Sequence, residues 1–477
     1  MFIYNSITKK GCLLLLVCII SRLLTSIFYI EDIDSLRFAS SIEKYDVLSN
    51  SPHFPGYPLF CFILKIFFFI LGSVPYTFSL LGSISIFLII IYTHKIYYLI
   101  NSNNSWILMF ILFINPFLWL MSNRYMPDLF GLAILMVSIF YLLKFFSDNN
   151  KINLYFFGFF LGLLCGVRIS YIPFFVPVLY FLIKDFKDLL IVLRYFIIAF
   201  SIWFIPWVIF TGFYDLLDVA INDVNGHFFR WGGTIHSVDS SFYVRAIKMI
   251  ESIFADGFGC WWSDRHWATG LNSIFFISFI FLGLFKLKKT YHAHNHVYNV
   301  IFACLFLYFM WIFFYQNVIY KPRHIMPFIP FLSLFISFGF SYLYKKIHVV
   351  MYTAVIAVFF SCNLFVTLTL VSQHLNKSAI SQVQSFLQSY DSNGIVLVSD
   401  GLMNYYFSKT NNRQNIIYLN HKTYHKNINN FYNTDYLIFS TFMLSDSQLK
   451  IVHKNKFYHN PYVNRLWSNL SLYQYEK

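Results

Sequence analysis

The chain has 477 residues, 58% of them hydrophobic and 12% charged. Ordinary soluble domains sit near roughly 45–50% and about 25%, so a soluble globular protein, a disordered chain and a fibrous repeat are all excluded. The net charge of +14 comes from basic residues scattered between apolar runs; with no stripe or arm, they suit loops that orient a membrane protein and not nucleic-acid binding.

Lys9 and Lys10 precede the apolar run 11–30. It carries Arg22 and no small-residue cleavage site follows, so it reads as a retained first span with the N-terminus cytoplasmic. Further spans are expected at 76–96, 106–122, 128–146, 154–168, 171–184, 190–211, 269–287, 298–319, 324–344 and 348–371. A crossing needs about 20 residues, which makes 154–168 and 171–184 short. Alternating from an inside N-terminus puts His94/Lys95, Lys144/Lys151, Lys184/Lys187, Lys286/Lys288/Lys289 and Lys345/Lys346 inside, as cationic loops require. This works only if the apolar segment 57–72 does not cross. With Lys65, Pro55, Pro58 and Pro75 in or beside it, that segment is expected at the outer interface or re-entering. The expectation is eleven crossings with the C-terminus outside.

Three long regions then face outward: 31–75, 212–268 and the tail 373–477. In the tail long apolar runs stop. It reads as helix 378–390, strand 394–399, helix 401–408 and strands 415–419 and 435–440, a small α/β domain. The expected fold class is an all-α polytopic membrane domain (1–372) with outer-face interfacial helices, followed by that domain (373–477). Six of the seven cysteines lie in apolar segments and no CxxC occurs, so neither a zinc site nor a disulfide framework is expected. His292, His294 and His296 read as a polar inner loop, since nothing acidic or thiol lies near them in sequence.

The first outer loop opens with Glu31, Asp32 and Asp34 where the first helix leaves the membrane. Ser35-Leu36-Arg37-Phe38-Ala39 follows with the spacing of an amphipathic helix lying along the membrane surface. Then comes the rigid turn Pro52-His53-Phe54-Pro55-Gly56-Tyr57-Pro58. The loop 212–268 carries His227, Arg230, Trp231, His236, Trp261, Trp262, Asp264, Arg265, His266 and Trp267, which suit either a sugar face or an interfacial aromatic belt.

These motifs resemble the GT-C superfamily of membrane glycosyltransferases, which includes protein O-mannosyltransferases and lipid A aminoarabinose transferases. The resemblance rests on the acidic residues after the first helix, on Asp34-Ser35-Leu36-Arg37-Phe38-Ala39, and on His53-Phe54-Pro55-Gly56-Tyr57-Pro58, similar to the His-Pro-Pro-Gly-Tyr-Pro turn of a bacterial group. Asn123-Arg124-Tyr125-Met126-Pro127-Asp128 and Lys321-Pro322-Arg323-His324-Ile325-Met326-Pro327-Phe328-Ile329-Pro330 resemble a second outer loop and the opening of a late span. Together they cover roughly the first 340 residues. The resemblance implies a catalytic acid at Asp34, with Glu31 or Asp32 as substitutes because Ser35 stands where many relatives have Glu. It implies an assisting acid at Asp128 near the donor phosphate.

What the resemblance implies is transfer of a sugar from a polyprenyl-phosphate carrier to a hydroxyl acceptor on a glycan, lipid or protein. A carboxylate takes the proton of the attacking hydroxyl, and Asp34 is the choice. Fixed cations meet the departing phosphate: Arg323 first, with Lys321, His324 and Arg168. Arg37, His53, Tyr57, His227, Arg230 and Trp231 are the substrate-binding candidates. No metal is obligatory, because the phosphate leaves directly; a divalent cation at Asp32/Asp34 is the variant to consider. A polymerase or ligase using a lipid-pyrophosphate glycan is the second reading. A lipid or solute transporter is the reading from another class, opposed by acids at helix ends and by the lack of repeated halves. The expected location is a bacterial inner membrane, multi-pass, with catalysis on the non-cytoplasmic face.

Overall fold

The computed structural model describes every residue except Met1, 102–104, Lys184, 239–240, 391–393, 412–414, 432–435, 446–447 and Lys477; the side chains of residues 2–8 and of Asn429 are also outside the description. Lys184, an expected inner cation, and Asp435, the first residue of an expected strand, lie outside the described residues. The helices in chain order are α1 (Phe2–Leu23), α2 (Ile33–Glu43), α3 (Pro58–Leu71), α4 (Val74–Asn101), α5 (Trp106–Phe113), α6 (Pro116–Asn123), α7 (Asp128–Asp148), α8 (Ile152–Arg168), α9 (Val176–Leu182) and α10 (Phe186–Thr211). After them come α11 (Phe213–Phe229), α12 (Phe242–Glu251), α13 (Thr269–Thr290), α14 (Asn295–Tyr315), α15 (Phe328–Leu343), α16 (Val349–His374), α17 (Ala379–Gln388) and α18 (Gly401–Thr410). The chain forms two units. Met1–Ser26 and Ser40–Ser372 make the first; Ile27–Ala39 and Gln373–Lys477 make the second.

In the first unit, seven helical segments among the described residues are long and apolar enough to cross a membrane, or eight if the bent pair α5–α6 is one span. This is a multi-pass membrane protein. α10 shows why such helices sit in lipid. Ile198, Ile202, Ile205 and Ile209 are exposed at three- and four-residue spacing, while Val192, Ala199, Trp203 and Trp207 are buried. α3 has 14 residues, about 21 Å at 1.5 Å per residue, short of the roughly 30 Å hydrocarbon layer.

The stretch Ile152–Leu182 is long and apolar enough for a crossing, yet it doubles back. Lys151 Nζ lies 2.9 Å from Asp188 and 4.0 Å from Asp185, so the start of α8 and the start of α10 share one end of the bundle. α8 and α10 then run parallel. A β-carbon on Gly158, Gly162 or Gly166 would collide with the Val192 carbonyl, the Phe196 carbonyl or the Trp203 ring in turn. This small-residue stripe lets the two backbones touch. The return limb is the 3₁₀ turn Ile169–Phe175 followed by α9.

The expected span 106–122 is instead two short helices bent by 52°. The bend frees carbonyls that lipid cannot satisfy, and buried groups take them up. Arg22 Nη2 donates to the Phe113 carbonyl at 2.7 Å, with its guanidinium 3.8 Å from the centre of the Trp119 ring. Thr367 Oγ1 donates to the Ile114 carbonyl at 2.6 Å. Asn115 Oδ1 accepts from the Leu118 amide and caps α6.

The second unit is built on five strands: β1 (Ile395–Ser399), β2 (Ile416–Asn420), β3 (Leu437–Ser440), β4 (Lys450–Tyr458) and β5 (Asn469–Glu476), in the order β2-β1-β3-β5-β4. β1 is parallel to β2 and β3; β5 is antiparallel to β3 and β4. Its main core joins Ala379, Ile380, Val383, Leu387, Leu397 and Phe439 to Ile33 and Leu36 from the start of α2. The sequence assigned residues 27–39 to the first 372 residues and laid the apolar face of 35–39 on the membrane. Instead Ile33 and Leu36 are core residues of the second unit, where burial is worth about 1.5–3 kcal/mol for each such side chain.

Candidate functional site

The candidate residues fall into two sets, one in each unit. In the second unit the three carboxylates of 31–34 are all buried but do different things. Asp32 Oδ1 accepts from the Ser35 amide at 2.8 Å, the bond that caps a helix start. Glu31 lies 3.3 Å from His374 Nε2, and both are fully enclosed. Its carbonyl takes a hydrogen bond from Asn464. Asp34 stands in the first turn of α2, where the helix dipole favours negative charge, with Arg37 Nη1 at 3.8 Å. Arg37 is partly exposed. Each of the three carboxylates thus has its own structural partner: Ser35 for Asp32, His374 for Glu31 and Arg37 for Asp34.

In the first unit, Asp128 opens α7 and is 1% exposed. Arg168, the last residue of α8, reaches it at 2.8 Å. Arg323, in the 3₁₀ turn Pro322–Ile325, reaches it at 3.6 Å. Two guanidiniums and one carboxylate, all at least nine-tenths buried, leave these three groups with a net positive charge. Buried charge is costly unless paired and hydrogen-bonded, so this arrangement is suited to an arriving anion. Arg323 Nη1 also contacts the sulfur of Met126.

The rigid turn feeds the same cluster. Gly56 has φ +76° and Tyr57 φ +46°, the left-handed region that a bulky aromatic residue rarely enters. That backbone aims the Tyr57 hydroxyl at Arg168, whose Nη1 donates to it at 3.1 Å. His53 Nε2 lies 3.3 Å from the same hydroxyl. His53, Tyr57, Arg168, Asp128 and Arg323 therefore form one connected chain of polar groups.

His324 is buried, and its carbonyl accepts from the Tyr308 hydroxyl at 3.0 Å. His227, on α11, bonds the Tyr315 carbonyl at 3.1 Å through Nε2. Burial, together with Arg168, Arg323, Lys321 and His227, holds His324 well below the usual histidine range; burial first, then Lys321 and Arg168, lowers His227. Lys321 is half-buried, while Arg230 and Trp231 are exposed. Arg245, not foreseen, is fully enclosed and donates to the carbonyls of Phe313, Gln316 and Gly233. It caps the end of α14.

Three further residues shape the site. Tyr171 donates to the Asp128 carbonyl at 3.4 Å. Tyr308 supports His324. Gly131 has Arg168 lying where a β-carbon would be, so only glycine lets Arg168 close on Asp128. Gly131 and Tyr171 each sit three residues after a charged residue of the cluster, a spacing that puts them on the same helix face.

No family model matches the sequence, and no curated protein matches it. Solved structures do match. The crystal structure of ArnT from Cupriavidus metallidurans bound to undecaprenyl phosphate superposes with a TM-score of 0.55, at 11% identity, over 98% of each chain. The apo state of the same ArnT gives 0.55 and 12%, again over 98% of each chain. The chain has the ArnT fold. ArnT is a lipid A aminoarabinose transferase of the GT-C family. The fold shared with ArnT is the one that the resemblance at Asp34, Asp128 and Arg323 implied. The ArnT match extends over the C-terminal α/β unit, where the sequence offered no motif.

Proposed function

We propose that this chain is a membrane glycosyltransferase that moves a sugar from a polyprenyl-phosphate carrier to a hydroxyl acceptor. The observation that carries the reading is the buried Arg168–Asp128–Arg323 cluster, with its excess positive charge, in a fold shared with an ArnT that binds undecaprenyl phosphate. The acceptor oxygen attacks the anomeric carbon, its proton passes to a carboxylate base, for which the family resemblance implies Asp34, and the bond from carbon to phosphate oxygen breaks with its electron pair on the phosphate. The guanidinium forks of Arg168 and Arg323 take up that charge. Asp128 and the Tyr57 hydroxyl hold Arg168 in place, and Lys321 extends the cationic field. Arg37 stands 3.8 Å from Asp34. His53 and the half-exposed His227, with Arg230 and Trp231, face the substrate. No step requires a metal.

Purified protein incubated with equimolar undecaprenyl phosphate and uncharged undecaprenol, then examined by native mass spectrometry, tests this reading. The phosphate form is expected to be retained at least about tenfold more than the alcohol, as one charge-assisted bidentate contact would give. Equal retention would remove the phosphate site.

We further propose eleven crossings: α1, α4, the bent pair α5–α6, α7, both limbs of 152–182, α10, α13, α14, α15 and α16, with α3 at the interface. The N-terminus is then cytoplasmic, and transfer takes place on the non-cytoplasmic face of the plasma membrane. The basic loops at Lys95, Lys144/Lys151, Lys187, Lys286/Lys288/Lys289 and Lys345/Lys346 support this. In a background without the native cysteines, an impermeant thiol reagent added to intact cells is expected to label Tyr243→Cys and Lys454→Cys, both at exposed positions, but neither Lys95→Cys nor Lys289→Cys. Labelling at 95 or 289 would invert or break the topology.

A further inference from the structure

Beside the cation cluster stand two histidines that take no part in the bond changes of the transfer step, His324 and His227. His324 is 6% exposed, and its Nδ1 is sealed from solvent with no hydrogen-bond partner among the described residues. The groups facing it are Arg168 from the end of α8, Arg323 and Lys321 from its own turn, His227 from α11 and the Tyr308 hydroxyl from α14. Asp128, bridged to Arg168 and Arg323, is the carboxylate of this group. His227 donates its Nε2 proton to the Tyr315 carbonyl, which leaves Nδ1 as a lone pair when the ring is neutral. Two imidazoles are therefore held among fixed cations, one with a buried nitrogen that nothing satisfies.

We propose that entry of a phosphate group at the Arg168–Arg323 pair is coupled to uptake of one proton by His324, with His227 as the alternative acceptor. The proposal rests on the phosphate-site reading above. In the empty site burial and like charge disfavour the imidazolium. A phosphate brings up to two negative charges into the same low-dielectric space and reverses that preference. One proton moves from solvent to an imidazole nitrogen as the anion enters and returns to solvent when it leaves; no bond to carbon changes. His324 then meets the departing phosphate as a third cation, present only while the anion is bound. The pH dependence has a definite sign. Below the lowered value of the empty site, His324 is protonated in both states and no uptake occurs. Between that value and the raised value of the occupied site, each occupancy takes up a proton, and affinity falls as pH rises.

Isothermal titration of the purified full-length protein with undecaprenyl phosphate at pH 7.5, in two buffers of different ionisation heat, tests the coupling. The phosphate's own protonation is common to every protein variant, so the comparison is with His324→Asn. The wild type is expected to take up about 0.5–1 more proton per anion than the variant. Binding by both with identical proton uptake would overturn the proposal while leaving the phosphate site intact. No binding to the wild type would overturn both. The wild type alone gives a second reading. With ring-¹³C-labelled histidine, an imidazolium signal is expected to appear on adding undecaprenyl phosphate, and a spectrum that stays neutral at saturation would overturn the coupling even if the variant fails to fold.

Discussion

Asp128→Asn is expected to destabilise the empty protein by about 3–5 kcal/mol, the usual result of removing one partner from a buried ion pair. Asp128 is 1% exposed and is shared by Arg168 at 2.8 Å and Arg323 at 3.6 Å. An amide of the same shape leaves both guanidiniums enclosed with no counter-charge at that position. The same substitution is expected to increase the stabilisation gained from undecaprenyl phosphate, because the anion then supplies the charge that the carboxylate lost. Thermal unfolding of both proteins with and without the lipid checks both halves. A variant as stable as the wild type, or one that gains less from the lipid, would contradict the assignment of this cluster to phosphate. Arg168→Ala is the counter-case: it removes a cation and is expected to reduce the gain.

What the sequence made legible follows from where chemistry stands out against hydrocarbon. Asp34, Asp128 and Arg323 are charged residues at the margins of apolar runs, and such residues are rare enough to draw notice. What Gly131, Tyr171 and Tyr308 do was hidden, because glycine and tyrosine inside apolar helices look like packing residues until a neighbouring helix is in place. The partners of Asp32 and Glu31 were out of reach, since a capping bond to Ser35 and a pairing with His374, more than 340 positions away, exist only in the folded chain. The doubling back of 152–182 was readable as two short apolar runs, although its decisive evidence is the contact of Lys151 with Asp188. In the tail, α17, α18, β1, β2 and β3 lie where apolar patterning put them. β4 and β5 were missed. β4 is an edge strand, largely exposed on both faces, and shows none of the alternation that marks a half-buried strand. The burial of Ile33 and Leu36 was also out of reach, because a helix with one apolar face fits a protein core as well as a membrane surface.

Asp34→Asn is expected to leave the protein folded and to slow transfer by about 10²–10⁴-fold, the range for loss of a general base. Asn keeps the shape and the helix-start position of Asp34, and the capping bond of Asp32 and the pairing of Glu31 with His374 are untouched. Neither Asp32→Asn nor Glu31→Gln should mimic it at equal protein level, because those residues hold structure. Arg168 and Arg323 remain, so undecaprenyl phosphate should still bind. The most direct measurement is mass spectrometry of surface glycans and membrane lipids from three isogenic strains carrying the wild type, the Asp34→Asn protein or no protein. One sugar modification is expected in the wild type alone, with its polyprenyl-phosphate sugar accumulating in the other two. Identical glycans and carrier lipids in all three strains would contradict the account.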